Sequence, residues 1–236
     1  MIGVKKHIPN TITCCNLISG CIATYFAFQN EFQLALLFIV VGAVFDFFDG
    51  MVARLLHVSS PIGKELDSLA DDITFGFAPS AMVFSYLCTF HGPHSLIFPF
   101  LAFVMAAFSA LRLAKFNLDE RQSMGFIGLP TPANALFWGA LIVGCGEWLS
   151  SQPALLNILP YLILILVFIF CYLLVSEIPM FALKFKHWGW KGNEIKYVFL
   201  LTSAVILVVF QIIGIAVVIA WYIVLSVITN ILNKRK

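Results

Sequence analysis

The stretch DFFDGMVARLLHVSSPIGKELDSLADD, residues 46–72, decides how this chain folds. It holds six of the twelve acidic residues in a chain of 236: Asp46, Asp49, Glu65, Asp67, Asp71 and Asp72. The segment SSP at 59–61 divides the stretch, because serine and proline favour turns and helix starts. We therefore predict one helix over residues 41–56 and a second helix from Lys64 onward.

The composition indicates an all-α, polytopic transmembrane helical bundle. The chain is 61% hydrophobic and 11% charged, and its mean hydropathy is +0.98. Soluble domains carry about 25% charged residues, so a soluble protein is excluded. The net charge of +2 is too small to indicate a nucleic-acid partner.

The apolar runs predict about eight spans, because a span needs about 20 residues. The first six cover residues 11–28, 33–56, 63–89, 95–115, 133–146 and 153–183. The run 197–232 is long enough for two more, with a turn at 211–214. We expect a single integral-membrane domain over 1–236. It would consist of a six-span core at 1–183, then a basic loop and two C-terminal spans at 184–236.

The positive charges give this bundle an orientation. All fourteen Lys and Arg fall at the chain ends, in loops on one side or at the span ends that border those loops, and the turns on the other side carry none. Cytoplasmic loops are enriched in Lys and Arg. We therefore expect both termini and the acidic stretch on the cytoplasmic side of the cell (inner) membrane.

The spacing of the acidic residues places them on two helix faces, because residues three, four and seven apart are neighbours on a helix. The first face consists of Asp46, Asp49, Gly50 and Ala53, and the second of Gly63, Asp67 and Asp71. Four carboxylates then point toward each other with small residues beside them. Ionised carboxylates at membrane depth require a cation or a partner, and they mark a functional site.

Aspartate oxygens without Cys or His favour hard cations such as Mg²⁺ or Mn²⁺. Four carboxylates are enough to hold a pair of ions, the arrangement that activates a nucleophile and stabilises a leaving phosphate oxygen. Asp71 is the best placed of the four to take a proton from an attacking hydroxyl. Arg54 can neutralise a phosphate oxygen that the ions do not reach.

The acidic stretch resembles the signature of the CDP-alcohol phosphotransferases, integral-membrane enzymes that transfer a phosphatidyl or related group from a CDP-linked donor to an alcohol. The matching pattern is Asp46-x2-Asp49-Gly50-x2-Ala53-Arg54-x8-Gly63-x3-Asp67-x3-Asp71. Further segments are similar to the CDP-diacylglycerol–serine O-phosphatidyltransferases of bacteria and archaea. These segments are IPNTITCCNLISG (8–20), GKELDSLADDITFGFAPS (63–80), LRLAKFN (111–117) and GLPTPANA (128–135).

The resemblance implies CDP-diacylglycerol and L-serine as substrates, phosphatidylserine and CMP as products, two Mg²⁺ or Mn²⁺ ions as cofactors, and a homodimer in the membrane lipid. The implied metal ligands are Asp46, Asp49, Asp67 and Asp71, with Asp71 also the general base. The implied donor-binding residues are Gly50, Ala53, Arg54, Gly63 and Asn16. No role is implied for Asp72.

Several alternatives stay open on the sequence. Asn16, with the other polar residues of the first span, either bonds within that span or contacts the nucleotide. Arg112 and Lys115 either anchor a helix end at the membrane boundary or bind the carboxylate of serine. The acceptor can instead be glycerol 3-phosphate or an inositol compound. From another class, paired acids in a bundle also suit a divalent-cation or proton-coupled transporter.

Overall fold

A computed structural model describes residues 7–90, 97–119, 126–151, 158–181, 189–190 and 192–234. These residues form eight α-helices, and the predicted all-α class is confirmed. The helices are α1 (His7–Phe28), α2 (Phe32–Leu55), α3 (Pro61–Asp71), α4 (Ala78–Cys88), α5 (Val104–Leu118), α6 (Thr131–Ser150), α7 (Leu159–Val175) and α8 (Glu194–Lys234). Residues 91–96, which include the start of the predicted fourth span, and residues 184–188 and 191 of the predicted basic loop lie outside the described residues.

Four of these helical segments are long and apolar enough to cross a membrane: His7–Phe28, Phe32–Leu55, Phe98–Leu118 and Glu194–Leu232. The third consists of α5 and a preceding 3₁₀ turn, Phe98–Phe103. Two shorter apolar helices accompany them, at Thr131–Gly144 and Leu159–Val175. The chain is thus a membrane protein, while the number of eight spans stays a prediction.

The part of the acidic stretch from Pro61 onward forms α3, which continues through a π-helical turn into α4. Ser60 caps the start of α3, because its hydroxyl accepts a hydrogen bond from the Gly63 amide at 3.0 Å, and Pro61 takes the first turn. This start is earlier than the predicted one at Lys64. A π-helical turn, Asp72–Phe77, joins α3 to α4. Such turns are common at functional sites, because the inserted residue redirects neighbouring side chains.

The sixth predicted span was too long at its C-terminal end. Helix α7 ends at Val175, and the chain then becomes extended. Strand β2, Pro179–Met180, pairs antiparallel with strand β1, Phe126–Ile127. Proline has no amide hydrogen to continue a helix, which explains the early end. Glu177 is therefore exposed beside this pairing rather than inside a span.

Helix α8 reverses direction at Gln211, whose backbone is non-helical with φ 50°. Trp221 Nε1 donates a hydrogen bond to Thr202 Oγ1 at 3.0 Å, and the rings of Phe199 and Tyr222 lie 5.8 Å apart. Residues 19 apart in a continuous helix would be separated by about 28 Å. The predicted turn between the last two apolar segments is therefore confirmed.

Small residues bring α1, α2 and the π-helical turn close together around Thr74. A Cβ atom on Gly42 would lie 2.5 Å from Thr74 Cγ2, and one on Gly20 would lie 2.8 Å from Thr74 Cα. Thr74 also donates a hydrogen bond to the carbonyl oxygen of Asn16 at 3.0 Å. This close contact fixes α1 beside both helices that carry the acidic residues.

We expect Gly20→Ala to destabilise the protein by about 1–3 kcal/mol, the usual cost of overpacking a filled interior. The effect should appear although alanine favours a helix by about 1 kcal/mol over glycine. The measurement is the thermal unfolding midpoint in detergent, with exposed Cys21→Ala as the matched control on the same helix. An unchanged midpoint for Gly20→Ala would show that α1 and the π-helical turn are not in tight contact.

Candidate active site

Acidic side chains from α2 and α3 meet at the centre of the site. Carboxylate oxygens of Asp46, Asp49 and Asp67 all lie within 4.8 Å of one another. Asp46 and Asp49 are adjacent on their helix because they are three residues apart, and Asp67 approaches from the facing helix. Three of the four carboxylates that were predicted to point toward each other therefore do so.

The three carboxylates fit a divalent cation. Within the described ranges no ion pair to Lys, Arg or His involves them, and Asp67 Oδ1 is buried without a hydrogen-bond partner. A buried carboxylate oxygen without a partner is costly. All of the donor atoms are oxygens, which hard divalent ions prefer. The cluster can therefore hold such an ion, as predicted.

Helix α1 orients two of the acidic side chains. The Thr13 hydroxyl donates a hydrogen bond to Asp49 Oδ2 at 2.6 Å, and the Asn16 amide donates to Asp71 Oδ1 at 3.0 Å. Both α1 residues are buried, with exposures of 3% and 0%. The sequence analysis grouped Thr13 with the other polar residues of the first span and did not predict its contact with Asp49, although its spacing of three from Asn16 places both on one helix face.

Asp71 lies at the edge of the cluster rather than among the three converging carboxylates. Its charge interacts with those of Asp46 and Asp67, so it is nearby. The hydrogen bond from Asn16 holds one of its oxygens. The electrostatic influence of Asp71 also reaches the buried Arg112 on α5. Asp71 is therefore near both the carboxylate cluster and a buried cation.

A cavity of about 270 Å³ opens beside Asp49 and Asp67. It lies between the start of α1, the end of α2 and the start of α3. Its lining includes Gly50, Ala53 and Gly63, the small residues predicted to leave room for a ligand. The remaining lining residues are Pro9, Asn10, Thr13, Val58, Ser59, Ser60 and Lys64.

Gly63 lines this cavity, and Arg54 lies beside the lining residue Gly50 without lining the cavity itself; Asn16 does not line it either. Arg54 is exposed, and its Nη1 lies 3.8 Å from where a Cβ on Gly50 would be. A Cβ on Gly63 would lie 3.0 Å from both Asn10 Oδ1 and Ser60 Oγ, so a side chain there would narrow the cavity. Asn16 instead makes its side-chain contact with Asp71.

Arg112 and Lys115 have different surroundings although both lie near the end of α5. Arg112 is 6% exposed, and its Nε donates a hydrogen bond to the Leu129 carbonyl oxygen at 3.2 Å. Its guanidinium carbon lies 5.1 Å from the centre of the Phe116 ring. Lys115 is exposed to solvent. Of these two residues, only Arg112 is buried and within electrostatic reach of Asp71.

A second contact between α3 and α5 was not foreseen from the sequence. Lys64 Nζ donates a hydrogen bond to the Asn117 carbonyl oxygen at 2.9 Å, and the Asn117 amide donates to Ser68 Oγ at 2.8 Å. Lysine near a helix end satisfies carbonyl groups that lack a helical partner. This pair of bonds fixes the helix that carries Asp67 against the helix that carries Arg112.

We expect Asp67→Asn to weaken Mn²⁺ binding at least about tenfold, because the amide oxygen is neutral and one charged ligand is lost. The measurement is titration of the purified protein with Mn²⁺, followed by electron paramagnetic resonance. Glu65→Gln is the matched control, since Glu65 is exposed on the same helix and outside the cluster. Equal affinities of both variants and the original chain would contradict a metal site at Asp67.

Comparisons with known proteins assign this chain to a family. A sequence model of the CDP-alcohol phosphatidyltransferase family matches residues 6–232. A Bacillus subtilis protein named CDP-diacylglycerol–serine O-phosphatidyltransferase is 40% identical over 130 residues, which cover 54% of this chain and 70% of that protein. A Methanocaldococcus jannaschii protein of the same name is 35% identical over 153 residues, covering 64% and 67% respectively.

A Helicobacter pylori protein, also named CDP-diacylglycerol–serine O-phosphatidyltransferase, is 35% identical over 139 residues. That alignment covers 58% of this chain and 56% of the relative. The family match extends over nearly the whole chain, including both helices that carry the acidic cluster. The chain is therefore an enzyme that belongs to the CDP-alcohol phosphatidyltransferase family.

Proposed function

We propose that this chain transfers the phosphatidyl group of CDP-diacylglycerol to the hydroxyl of L-serine, giving phosphatidylserine and CMP. The relatives that carry this name support the choice of donor and acceptor. The observation that carries the proposal is the convergence of Asp46, Asp49 and Asp67 within 4.8 Å, beside a cavity. That arrangement suits a substrate with two linked phosphates, because such a substrate needs cations beside a pocket.

The metal cofactor in this proposal is a pair of Mg²⁺ or Mn²⁺ ions. Asp46, Asp49 and Asp67 would hold them, together with the second carboxylate oxygen of Asp71. When bound, the ions supply positive charge that stabilises the diphosphate of the donor and the charge that develops on it. Thr13 and Asn16 keep the carboxylates of Asp49 and Asp71 in fixed orientations.

The cavity beside Asp49 and Asp67 is where we place the cytidine diphosphate part of the donor. Gly50, Ala53 and Gly63 have little or no side chain, so the nucleotide can approach the backbone closely. Arg54 at the rim can bind a phosphate oxygen. A contact between the donor and Asn16 stays a prediction, since Asn16 lies behind Asp71.

The acyl chains of the donor would stay in the lipid beside α2. Phe47 and Phe48 flank the acidic residues of this helix and are 63% and 42% exposed. Apolar side chains on a surface in lipid provide a suitable environment for acyl chains. The reaction site would therefore lie at the membrane surface, and the positive-inside pattern supports a position on the cytoplasmic side.

Asp71 is our proposed general base, in keeping with its position at the edge of the cluster. It accepts the proton of the serine hydroxyl as the hydroxyl oxygen forms a bond to the phosphorus of the phosphatidyl group. The bond between that phosphorus and the CMP oxygen breaks, and CMP leaves with the electron pair. Arg112, whose charge interacts with that of Asp71, would bind the carboxylate of serine. Lys115 stays a second, exposed candidate for this contact.

Two features of the assembly belong to the proposal. The chain would act as a homodimer, as the family resemblance implies. Residues 1–236 would form one domain, in which the C-terminal helical hairpin supports the core. The contact that supports this is Gly144 of α6, where a Cβ would lie 2.6 Å from Ile213 Cβ at the start of the second half of α8.

We expect the purified protein to release CMP and form a labelled lipid from CDP-diacylglycerol, labelled L-serine and Mn²⁺. Asp71→Asn should lower the rate by about 10²–10⁴-fold, the usual contribution of general-base catalysis. Glu65→Gln should retain full activity. CMP release with glycerol 3-phosphate or inositol but not with L-serine would contradict the serine assignment and leave the family assignment intact.

We expect Arg112→Ala to raise the KM for L-serine by about 10–100-fold, the loss of a charged hydrogen bond to a carboxylate. The KM for CDP-diacylglycerol should change little, and Arg112→Lys should restore part of the serine affinity. Lys196→Ala, on the C-terminal hairpin, serves as the control for loss of a positive charge. An unchanged serine KM in Arg112→Ala would exclude Arg112 as the carboxylate ligand.

A further inference from the structure

Lys64 is the one positively charged residue among the described residues that line the cavity beside Asp49 and Asp67. It follows Gly63 near the start of α3, and it is exposed. The cavity of about 270 Å³ has room for a ligand, and the exposure of Lys64 gives a ligand from solvent access to it. Lys64 is therefore positioned to meet an anionic group in this cavity.

The charge of Lys64 does not neutralise the carboxylates next to it. Lys64 and Asp67 are three residues apart on α3, a spacing at which opposite charges often pair. Within the described ranges, however, Lys64 Nζ donates to the neutral Asn117 carbonyl oxygen at 2.9 Å, and the buried Asp67 Oδ1 accepts no hydrogen bond. The acidic cluster thus stays available for a cation, and the positive charge of Lys64 stays available for an anion.

Three hydrogen bonds in a ring hold the Lys64 side chain in place. Lys64 Nζ donates to the Asn117 carbonyl oxygen, and the Asn117 amide donates to Ser68 Oγ at 2.8 Å. Ser68 Oγ in turn donates to the Lys64 carbonyl oxygen at 3.3 Å. A lysine side chain loses about 1.5–2 kcal/mol of conformational entropy when it is ordered. Because the ring already orders Lys64 in part, less entropy is lost when a ligand binds.

We propose that Lys64 binds a phosphate group of the CDP-linked donor in this cavity. The inference rests on the proposed function and deepens it, because it adds a cationic ligand on α3 to Arg54 at the end of α2. An ammonium group has three N–H donors, and the bond to Asn117 uses one of them. Lys64 can therefore keep its contact with α5 while it donates to a phosphate oxygen. A hydrogen bond between two charged groups is stronger than one to a neutral carbonyl.

The position of Lys64 suits a ligand that is also held at the acidic cluster. Lys64 lies one helical turn before Asp67, and both residues line the cavity. A diphosphate held at Asp67 through a divalent ion therefore lies within reach of the long lysine side chain. The base and the ribose of the nucleotide carry no negative charge. Lys64 thus contributes to the binding of a ligand with phosphates and not to the binding of one without them.

The test compares the binding of CDP with that of cytidine, which has the same base and sugar but no phosphate. In calorimetric titrations of the purified protein with Mn²⁺ present, we expect Lys64→Met to weaken CDP binding about tenfold. This is the lower part of the range for hydrogen bonds to charged groups, because Lys64 is exposed. Cytidine, titrated as a competitor of CDP, should bind within about twofold of its affinity for the original chain, which also shows that the variant is folded.

The same contact should appear in the kinetics. Lys64→Met should raise the KM for CDP-diacylglycerol by about tenfold and leave the KM for L-serine nearly unchanged. Lys64→Arg keeps the positive charge, so its affinity for CDP should stay within about threefold of that of the original chain.

Two control variants separate a phosphate contact from a structural effect. Asn117→Ala removes a bond between α3 and α5 but leaves the charge of Lys64, so it should change the affinities for CDP and cytidine by the same factor. Lys196→Met, on the C-terminal hairpin and outside the cavity lining, should leave both affinities unchanged.

Two results would exclude Lys64 as a phosphate ligand: equal CDP affinities of Lys64→Met and the original chain, or an equal loss of affinity for CDP and cytidine. A different result would contradict the proposed function itself, namely an original chain that binds neither ligand and makes no lipid from CDP-diacylglycerol. The two failures are therefore distinguishable.

Discussion

Carboxylates within 4.8 Å of one another repel, and the positions of Asp46, Asp49 and Asp67 therefore need forces that oppose the repulsion. The packing of α1 against α2 and the π-helical turn opposes part of this repulsion. Small residues let α1 approach α2 and the π-helical turn, and hydrogen bonds from α1 then hold Asp49 and Asp71. The remaining repulsion calls for a bound cation or a shared proton, because no Lys, Arg or His in the described ranges pairs with the three carboxylates.

This constraint gives the site two sides with different properties. On one side, small residues and polar backbone at the ends of α1, α2 and α3 leave a cavity beside Asp49 and Asp67. On the other side, α5 brings the buried Arg112 close to Asp71, and Lys64 and Asn117 fix this helix against α3. The proposed donor, with two phosphates, and the proposed small charged acceptor need different environments, and the two sides differ in this way. The membrane surface suits such a site, since one proposed substrate is a lipid and the other is soluble.

The sequence predicted the centre of this site well because the information is local. Spacings of three and four residues fix which carboxylates share a helix face, and Ser60 and Pro61 mark where the second helix starts. The reversal at Gln211 was also predictable, since the apolar run is too long for one span. In contrast, the extended segment that follows α7 depends on the pairing of β2 with β1, which lies more than 50 residues away along the chain. Because the prediction relied on apolar composition, the predicted span continued beyond Val175, where α7 ends.

Other features depend on contacts between distant segments and could not be predicted. Thr13 and Asn16 were recognisable as polar residues in an apolar helix, but their partners are 36 and 55 residues away. The direction of Asp72 follows from the π-helical turn, for which the sequence has no simple signal. Arg112 was chosen for its charge, whereas its orientation comes from the Leu129 carbonyl oxygen and the Phe116 ring.

The most direct measurement is anomalous diffraction near the manganese edge from crystals of this protein grown with Mn²⁺. A metal bound by α2 and α3 together should give an anomalous peak at coordination distance from the carboxylates of Asp46, Asp49 and Asp67. The opposite result has two parts: the anomalous peak is absent or lies elsewhere, and the three carboxylates point away from one another or pair with lysine and arginine. That result would contradict a metal site between α2 and α3.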